Sequence, residues 1–249
     1  MENDSVIDLL PEPRRLVANR GWHWYVDGFK LFRRQPGIWI VISLQFFVLA
    51  LLANVLPVVG ALAYTLVSPV LSGGIYLAAK RCYAGNRVGP LDLFAAFHGE
   101  IKPLLWVGFI NVLAAMLVTV VLGLFGSQAS LVDIPAGSLP TPEQMKSLYL
   151  HASLSLILMT PVMCAVWFAP ALILFDGYSA IEAMKLSFAG IARNWQAFLV
   201  SGLLTIALCF LSVFTLLLGF LVVLPVMMLM QYIAYREIFA AVPAGADGV

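Results

Sequence analysis

Four long stretches of the sequence contain no Asp, Glu, Lys or Arg. They cover residues 35–79, 103–132, 147–175 and 194–235. A helix needs about 20 mostly apolar residues to cross the hydrocarbon core of a bilayer. The first and last stretches are each long enough for two such helices, and candidate turns lie near their middles, at residues 54–60 and around 218–219. The pattern therefore predicts six spanning helices, near residues 37–56, 58–80, 104–125, 148–174, 195–216 and 219–239.

The composition indicates the environment of these helices. Of the 249 residues, 62% are hydrophobic and 11% are charged, whereas soluble domains are about 45–50% apolar and about 25% charged. A chain of this length cannot hide such an excess in one water-soluble core, because its surface is large relative to its volume. The composition excludes a water-soluble enzyme, a disordered chain and a nucleic-acid-binding protein. It indicates an all-α, polytopic membrane protein.

The basic residues sort to one side of the six-helix topology. The chain has 14 Lys and Arg residues, and in this topology every one except Lys146 falls on the same side of the membrane. Because short loops rich in Lys and Arg remain in the cytoplasm, we expect both termini to be cytoplasmic. We also expect one transmembrane domain at residues 21–240, between cytoplasmic tails at 1–20 and 241–249. On the opposite side, the Pro, Gly and Ser content of residues 126–147 favours an irregular loop, with a helical turn starting at Thr141.

An internal repeat is visible when the chain is shifted against itself by 156 residues, so that 69–84 lies over 225–240. The identical pairs are Pro69 and Pro225, Val70 and Val226, Tyr76 and Tyr232, Ala78 and Ala234, and Ala84 and Ala240. Lys80 then meets Arg236, and a shift of 155 pairs Lys30 with Lys185. The expected copies cover about residues 21–84 and 178–240. Each consists of an amphipathic helix and two spans, inserted in the same direction, and such parallel repeats also occur in transporters.

Each repeat copy opens with a segment whose apolar residues recur at helical spacing. In residues 21–35 the predicted apolar face is Trp22, Tyr25, Val26, Phe29 and Phe32, and in the second copy it is Ile181, Met184, Phe188, Ile191 and Trp195. Basic residues beside an aromatic face are typical of a helix lying in the headgroup plane. The residues expected at the membrane interface are Trp22, Trp24, Tyr25, Phe29, Lys30, Phe32, Arg33, Arg34, Lys185, Phe188, Arg193 and Trp195. Two roles stay open, namely recruitment to or sensing of anionic lipid and passive anchoring that sets the angle of the next span.

Polar residues at membrane depth are few and uncharged. They include Gln45, Asn54, Asn111 and Gln231, which suit either hydrogen bonds between helices or the lining of a polar pathway. His151, at the outer end of the predicted span 148–174, is the only His within the six predicted spans, so no His lies at membrane depth to activate a nucleophile, and neither paired acids nor a metal-binding motif is present. We therefore expect no catalytic, cofactor or metal site, and we expect the protein not to be an enzyme.

Several segments resemble a family of uncharacterised proteobacterial inner-membrane proteins. They are residues 20–39, which begin RGWHW and end GFKLFRRQPGIW, together with 68–74, 92–97 and 169–183. The resemblance covers about residues 14–240 and implies a six-span protein of the bacterial inner (plasma) membrane, without an assigned activity or site residues. More distantly, the chain is similar to the membrane domain attached to some bacterial glycerophosphodiester phosphodiesterases. Their catalytic part has no counterpart here, so the likeness implies no activity.

Two functions follow as expectations. In the first, the protein is not an enzyme and acts through contacts with membrane lipid, with another membrane protein or with a second copy of itself. In the second, it is a passive or lipid-like-substrate transporter whose pathway runs between the repeat copies. The second function predicts a cavity between spans 1–2 and spans 5–6.

Overall fold

The structure is a computed structural model that describes residues 12–99, 101–124 and 140–239. Every regular element in these ranges is a helix, which confirms the all-α class. The elements are α1 (Arg20–Phe32), α2 (Pro36–Ala53), α3 (Pro57–Tyr83), a 3-10 helix (Pro90–His98), α4 (Ile101–Leu124), α5 (Pro142–Trp167), α6 (Ala169–Asp176), α7 (Ala180–Arg193), α8 (Trp195–Phe214) and α9 (Phe220–Ile238). Most of the predicted N-terminal tail, the predicted tail at 241–249 and residues 126–139 of the predicted loop lie outside the described residues.

Six segments of the described chain are long and apolar enough to cross a membrane. They are Pro36–Ala53, Val58–Tyr83, Ile101–Leu124, Pro142–Asp176, Trp195–Phe214 and Phe220–Ile238. The shortest, α2, has 18 residues, and at about 1.5 Å per residue it is about 27 Å long, close to the hydrocarbon thickness of about 30 Å. The predicted six-span architecture is therefore confirmed.

The fourth span differs most from its predicted bounds of 148–174. It begins at Pro142, because Thr141 and Gln144 form a reciprocal capping box in which the Gln144 backbone N–H donates to Thr141 Oγ1 at 3.2 Å. It is also interrupted at Phe168, between α5 and α6. Pro170 lies in the first turn of α6, where its ring prevents an unbroken helix by clashing with the carbonyl four residues earlier. The span is thus two helices in series.

A tight turn joins the two helices of each helical hairpin, α2–α3 and α8–α9, near the place that the sequence predicted. The α2–α3 turn follows Asn54, and the α8–α9 turn covers residues 215–219. In the second turn Leu216 and Leu217 have φ angles of 52° and 68°, a left-handed conformation that costs about 1–2 kcal/mol for a residue other than glycine. The hydroxyl of Thr215 accepts the Gly219 N–H at 2.8 Å and closes this turn.

Three short helices, α1, the 3-10 helix and α7, gather at the end of the bundle where α3 and α9 terminate. We call this the basic end, because Lys30, Arg34, Lys80, Lys185 and Arg236 all lie there. The 3-10 helix packs against α3, α1 packs against α8 and α9, and α7 packs against α4, α5 and α6. Lys146 lies in the first turns of α5, at the opposite end. The structure thus reproduces the predicted sorting of basic residues.

The two repeat copies correspond to α1–α2–α3 and α7–α8–α9, each a short amphipathic helix followed by a helical hairpin. They are interlocked, because α1 packs mainly on the hairpin of the second copy. The aligned residues Lys80 and Arg236 also make the same kind of contact, a cation over an aromatic ring. Lys80 Nζ lies 4.4 Å from the ring centre of Phe175, and the Arg236 guanidinium carbon lies 3.9 Å from the ring centre of Tyr83. Each copy therefore ends in a cation stacked on an aromatic ring.

Candidate functional site

Helix α1 is held against α8 and α9 by glycines that allow close approach. A Cβ added at Gly21 would collide with the carbonyl oxygen of Ala197, and one at Gly28 would lie 3.0 Å from the backbone nitrogen of Met230. Trp24 is fully buried in this contact, and its ring packs on Phe198 with the ring centres 5.1 Å apart. Helix α1 is thus a packed part of the bundle.

This packing corrects the predicted orientation of α1. Trp24, Tyr25 and Phe32, which the sequence placed at the membrane interface, are buried within the protein. Trp22 and Phe29 remain 54% and 43% exposed. The helix carries aromatic residues on two sides, so helical spacing alone could not separate the side that contacts protein from the side that contacts lipid.

A carboxylate at the end of α9 anchors α1. Glu237 accepts hydrogen bonds from Trp24 Nε1 at 2.8 Å and Arg20 Nε at 3.0 Å, and its other oxygen pairs with a second Arg20 nitrogen. The hydrogen bond to Glu237 raises the pKa of Arg20. Both carboxylate oxygens of Glu237 are therefore engaged by α1.

Helix α7 has one buried and one exposed side. Ala183, Leu186 and Ser187 face the bundle and are buried. The exposed side carries Ile181, Lys185, Phe188 and Arg193, followed by Trp195 at the start of α8. Four of these five, all but Ile181, are predicted interface residues, whereas Met184 of the predicted apolar face is buried against the bundle.

Two apolar grooves on the spanning helices each include one lysine. The α7 groove, of about 650 Å³, is lined by Ile110, Ala165, Ile181, Met184, Lys185 and Phe188. The α4 groove, of about 320 Å³, is lined by Leu66, Lys102, Leu105, Trp106 and Phe109. Among the described lining residues of each groove, the lysine is the only charged one. Apolar walls with one cation at the basic end match an acyl chain joined to an anionic headgroup.

A third concavity lies between the repeat copies, where α1, α3 and α9 meet at the basic end. We call it the basic cavity. Its volume is about 430 Å³, and it is lined by Asp27, Lys30, Leu31, Arg34, Tyr83, Ile233, Arg236 and Glu237. It therefore brings together charged residues from both copies.

Lys30 and Arg34 are predicted interface residues. The transport function predicts a cavity between the repeat copies, but no feature of the sequence predicted the charged lining of the basic cavity. Its two arginines are 202 positions apart in the chain, and no local pattern joins them. The alignment of Lys80 with Arg236 was the nearest signal, because it marked both as residues that close equivalent spans.

The four residues predicted to line a polar pathway lie on α2, α4 and α9, and the pathway stays a prediction. Gln45, Asn111 and Gln231 are half-buried on α2, α4 and α9, and Asn54 at the end of α2 is exposed, where its side chain donates to the Ala50 carbonyl at 2.7 Å. Within the described residues no hydrogen bond joins any two of these four. The side-chain carbonyl oxygen of Gln45 is buried and has no hydrogen-bond partner among the described residues.

The chain is similar to a protein of Burkholderia thailandensis described as a probable inner membrane protein. The two are 29% identical over 199 residues, which cover 77% of this chain and 74% of the relative. No protein-family model matches the chain, and no solved structure matches it. These findings fit the resemblance to uncharacterised inner-membrane proteins and give no support to the more distant likeness to phosphodiesterase membrane domains. With six apolar spans and this relative, the chain is a multi-pass integral protein of the inner membrane.

Proposed function

We propose that this protein is not an enzyme and that it binds anionic phospholipid at the cytoplasmic surface of the inner membrane. The observation that carries the proposal is the α7 groove, in which Lys185 stands beside apolar side chains on the outside of the spanning helices. A phospholipid acyl chain fits such a wall, and the lysine offers a charge to the phosphate at headgroup level. The α4 groove repeats the arrangement with Lys102.

The orientation in this proposal follows from charge. Lys and Arg gather at the basic end and Lys146 lies at the other, so the positive-inside rule makes the basic end cytoplasmic. The cytoplasmic leaflet carries the negative surface potential that attracts basic segments. The residues of the basic end therefore both orient the protein in the membrane and attract anionic lipid.

Lipid retention tests the proposal. We would purify the full chain in dodecyl maltoside, remove lipid, add back phosphatidylglycerol or phosphatidylcholine with matched chains, and count bound lipids by native mass spectrometry. The expected result is preferential retention of phosphatidylglycerol, reduced by Lys185→Gln and by Lys102→Gln. Arg87→Gln is the control, because Arg87 is exposed near the basic end and lines none of the three concavities described above. Equal retention of the two lipids by the wild-type protein would overturn the proposal.

A second candidate function is passive transport of a lipid-like substrate. It is favoured by the position of the basic cavity, which lies between the repeat copies. Beyond the cavity, however, Ile42, Val70 and Leu229 are fully buried in one continuous core, so transport requires these helices to separate. Lipid flux across proteoliposomes distinguishes the two functions, since binding alone produces none.

A further inference from the structure

We propose that the basic cavity is a binding site for one phosphate group, held between Arg34 and Arg236. The inference deepens the proposed lipid binding by naming a specific headgroup site, but it concerns other residues than the two lysine grooves. It rests on the charges, the aromatic floor and the position of the cavity.

The acids of the cavity are already matched by cations. Lys30 Nζ donates to Asp27 Oδ1 at 2.9 Å, and Glu237 is engaged by Arg20 and Trp24. Arg34 and Arg236 form no ion pair with any residue in the described part of the chain. The cavity therefore retains two positive charges without a protein anion, and an anion from outside would complete the arrangement.

Both arginines are held in place while most of their donors stay free. Arg34 donates through one terminal nitrogen to the carbonyl oxygens of Cys82 and Tyr83, at 3.3 and 3.2 Å. Arg236 stacks on the Tyr83 ring at 3.9 Å and makes no hydrogen bond within residues 12–99, 101–124 and 140–239. A guanidinium carries five N–H donors in a planar fork that fits phosphate oxygens. Tyr83 thus contacts both arginines, Arg34 through its carbonyl oxygen and Arg236 through its ring.

The remaining lining indicates what accompanies the phosphate group. Leu31 and Ile233 are buried apolar residues and suit a glycerol carbon or the first methylenes of a chain. The volume of about 430 Å³ falls within the range of about 300–1,000 Å³ typical of small-molecule sites. The same chemistry is offered by a phospholipid headgroup at the membrane surface and by a soluble phosphate ester.

Calorimetric titration of the full chain in dodecyl maltoside, a phosphate-free detergent, tests the inference. The probes are dioctanoyl phosphatidic acid, sn-glycerol 3-phosphate, and dioctanoylglycerol as the phosphate-free lipid. We expect at least one phosphate probe to bind and dioctanoylglycerol not to bind. Loss of a charge-assisted contact should weaken phosphate binding about tenfold or more in Arg34→Gln and in Arg236→Gln.

Arg33→Gln is the matched control, because Arg33 adjoins Arg34 and is exposed but does not line the cavity. If Arg33→Gln weakens binding as much as Arg34→Gln, or if neither phosphate probe binds, the inference is overturned. If a Gln variant does not fold, Arg34→Lys is compared with Arg33→Lys, since lysine keeps the charge but loses the planar fork. Only the former should weaken binding, and equal affinities would overturn the inference.

The two phosphate probes separate the source of the ligand. Tighter binding of phosphatidic acid identifies a lipid headgroup site. Equal binding of sn-glycerol 3-phosphate identifies a site for soluble phosphate esters, which supports the cavity inference whatever the result of the lipid-retention assay. Conversely, loss of lipid retention in Lys185→Gln together with no phosphate binding in the cavity would support the proposed function and overturn the cavity site.

Discussion

The hydroxyl of Ser187 in α7 lies 2.9 Å from the backbone nitrogen of Phe168 and accepts its hydrogen bond. The same hydroxyl donates to the carbonyl oxygen of Cys164 at 2.6 Å. Ser187 therefore provides partners for two backbone groups at the break between α5 and α6. One side chain of α7 thereby provides hydrogen-bond partners on the interrupted fourth span, against which this helix packs.

Replacing Ser187 by Ala should destabilise the protein. The Phe168 N–H would remain buried without its partner, which costs about 1–3 kcal/mol. The free energy of unfolding in detergent measures the effect. Ser153→Ala is the control, because Ser153 is exposed on the same span and its loss should change stability little. Equal effects of the two substitutions would show that the Ser187 bridge contributes nothing specific.

The structure also shows which features the sequence could predict. The spans follow from uninterrupted apolar length, so the bounds of α2, α3, α4, α8 and α9 were predicted to within a few residues. Pro170 marks the break at Phe168. The hydroxyl that accepts the Phe168 N–H belongs to Ser187, 19 positions further along the chain than Phe168, and helical periodicity does not report such a pairing. The burial of Trp24 depends on close approach at Gly21, whereas its apolar character suits lipid equally well. Arg34 and Arg236 line one cavity because α1 packs on the hairpin of the second repeat copy.

Gly108 should be needed for the packing of α4 on α3. A Cβ at this position would collide with the backbone of Leu66, whose Cα would lie 2.8 Å away. Overpacking of this kind typically costs about 1–3 kcal/mol, so Gly108→Ala should lower the melting temperature.

The matched control for that prediction is Gly123→Ala on the same helix, where an added Cβ would meet nothing within 4 Å. Because alanine favours a helix over glycine by about 1 kcal/mol, Gly123→Ala should leave stability unchanged or raise it. An equal drop in melting temperature for both variants would show that the close α3–α4 contact at Gly108 is not the cause.

Glu237→Gln should loosen α1 from the bundle. Glutamine keeps an oxygen for Trp24 but removes the negative charge that pairs with Arg20, and hydrogen bonds to charged groups contribute about 1.5–3 kcal/mol. Limited proteolysis near residues 12–20 would detect the loosening, with Glu143→Gln as the exposed control. Unchanged cleavage in Glu237→Gln would show that the ion pair with Arg20 is not needed to hold α1.

Cysteine labelling should place the basic end in the cytoplasm. Arg33 at the basic end and Lys146 at the other are both exposed, so Arg33→Cys and Lys146→Cys are comparable reporters. Labelling of each is measured against the wild-type protein, whose native cysteines are Cys82, Cys164 and Cys209. A membrane-impermeant thiol reagent should label Lys146→Cys in spheroplasts and label Arg33→Cys only after permeabilisation. The reverse pattern would contradict the positive-inside assignment.

Gln45→Leu distinguishes the two candidate functions. The Gln45 carbonyl oxygen is buried without a partner among the described residues, and an unpartnered buried polar atom costs about 1–3 kcal/mol. If the protein acts by binding lipid at the basic end, leucine at this position should keep or raise the melting temperature and leave phosphatidylglycerol retention unchanged. If Gln45 lines a polar pathway, proteoliposomes that contain the same stable variant should lose lipid flux. Proteoliposomes that contain active wild-type protein are the reference. A well-folded Gln45→Leu variant without flux would therefore favour transport, because only a pathway requires a polar atom at that depth.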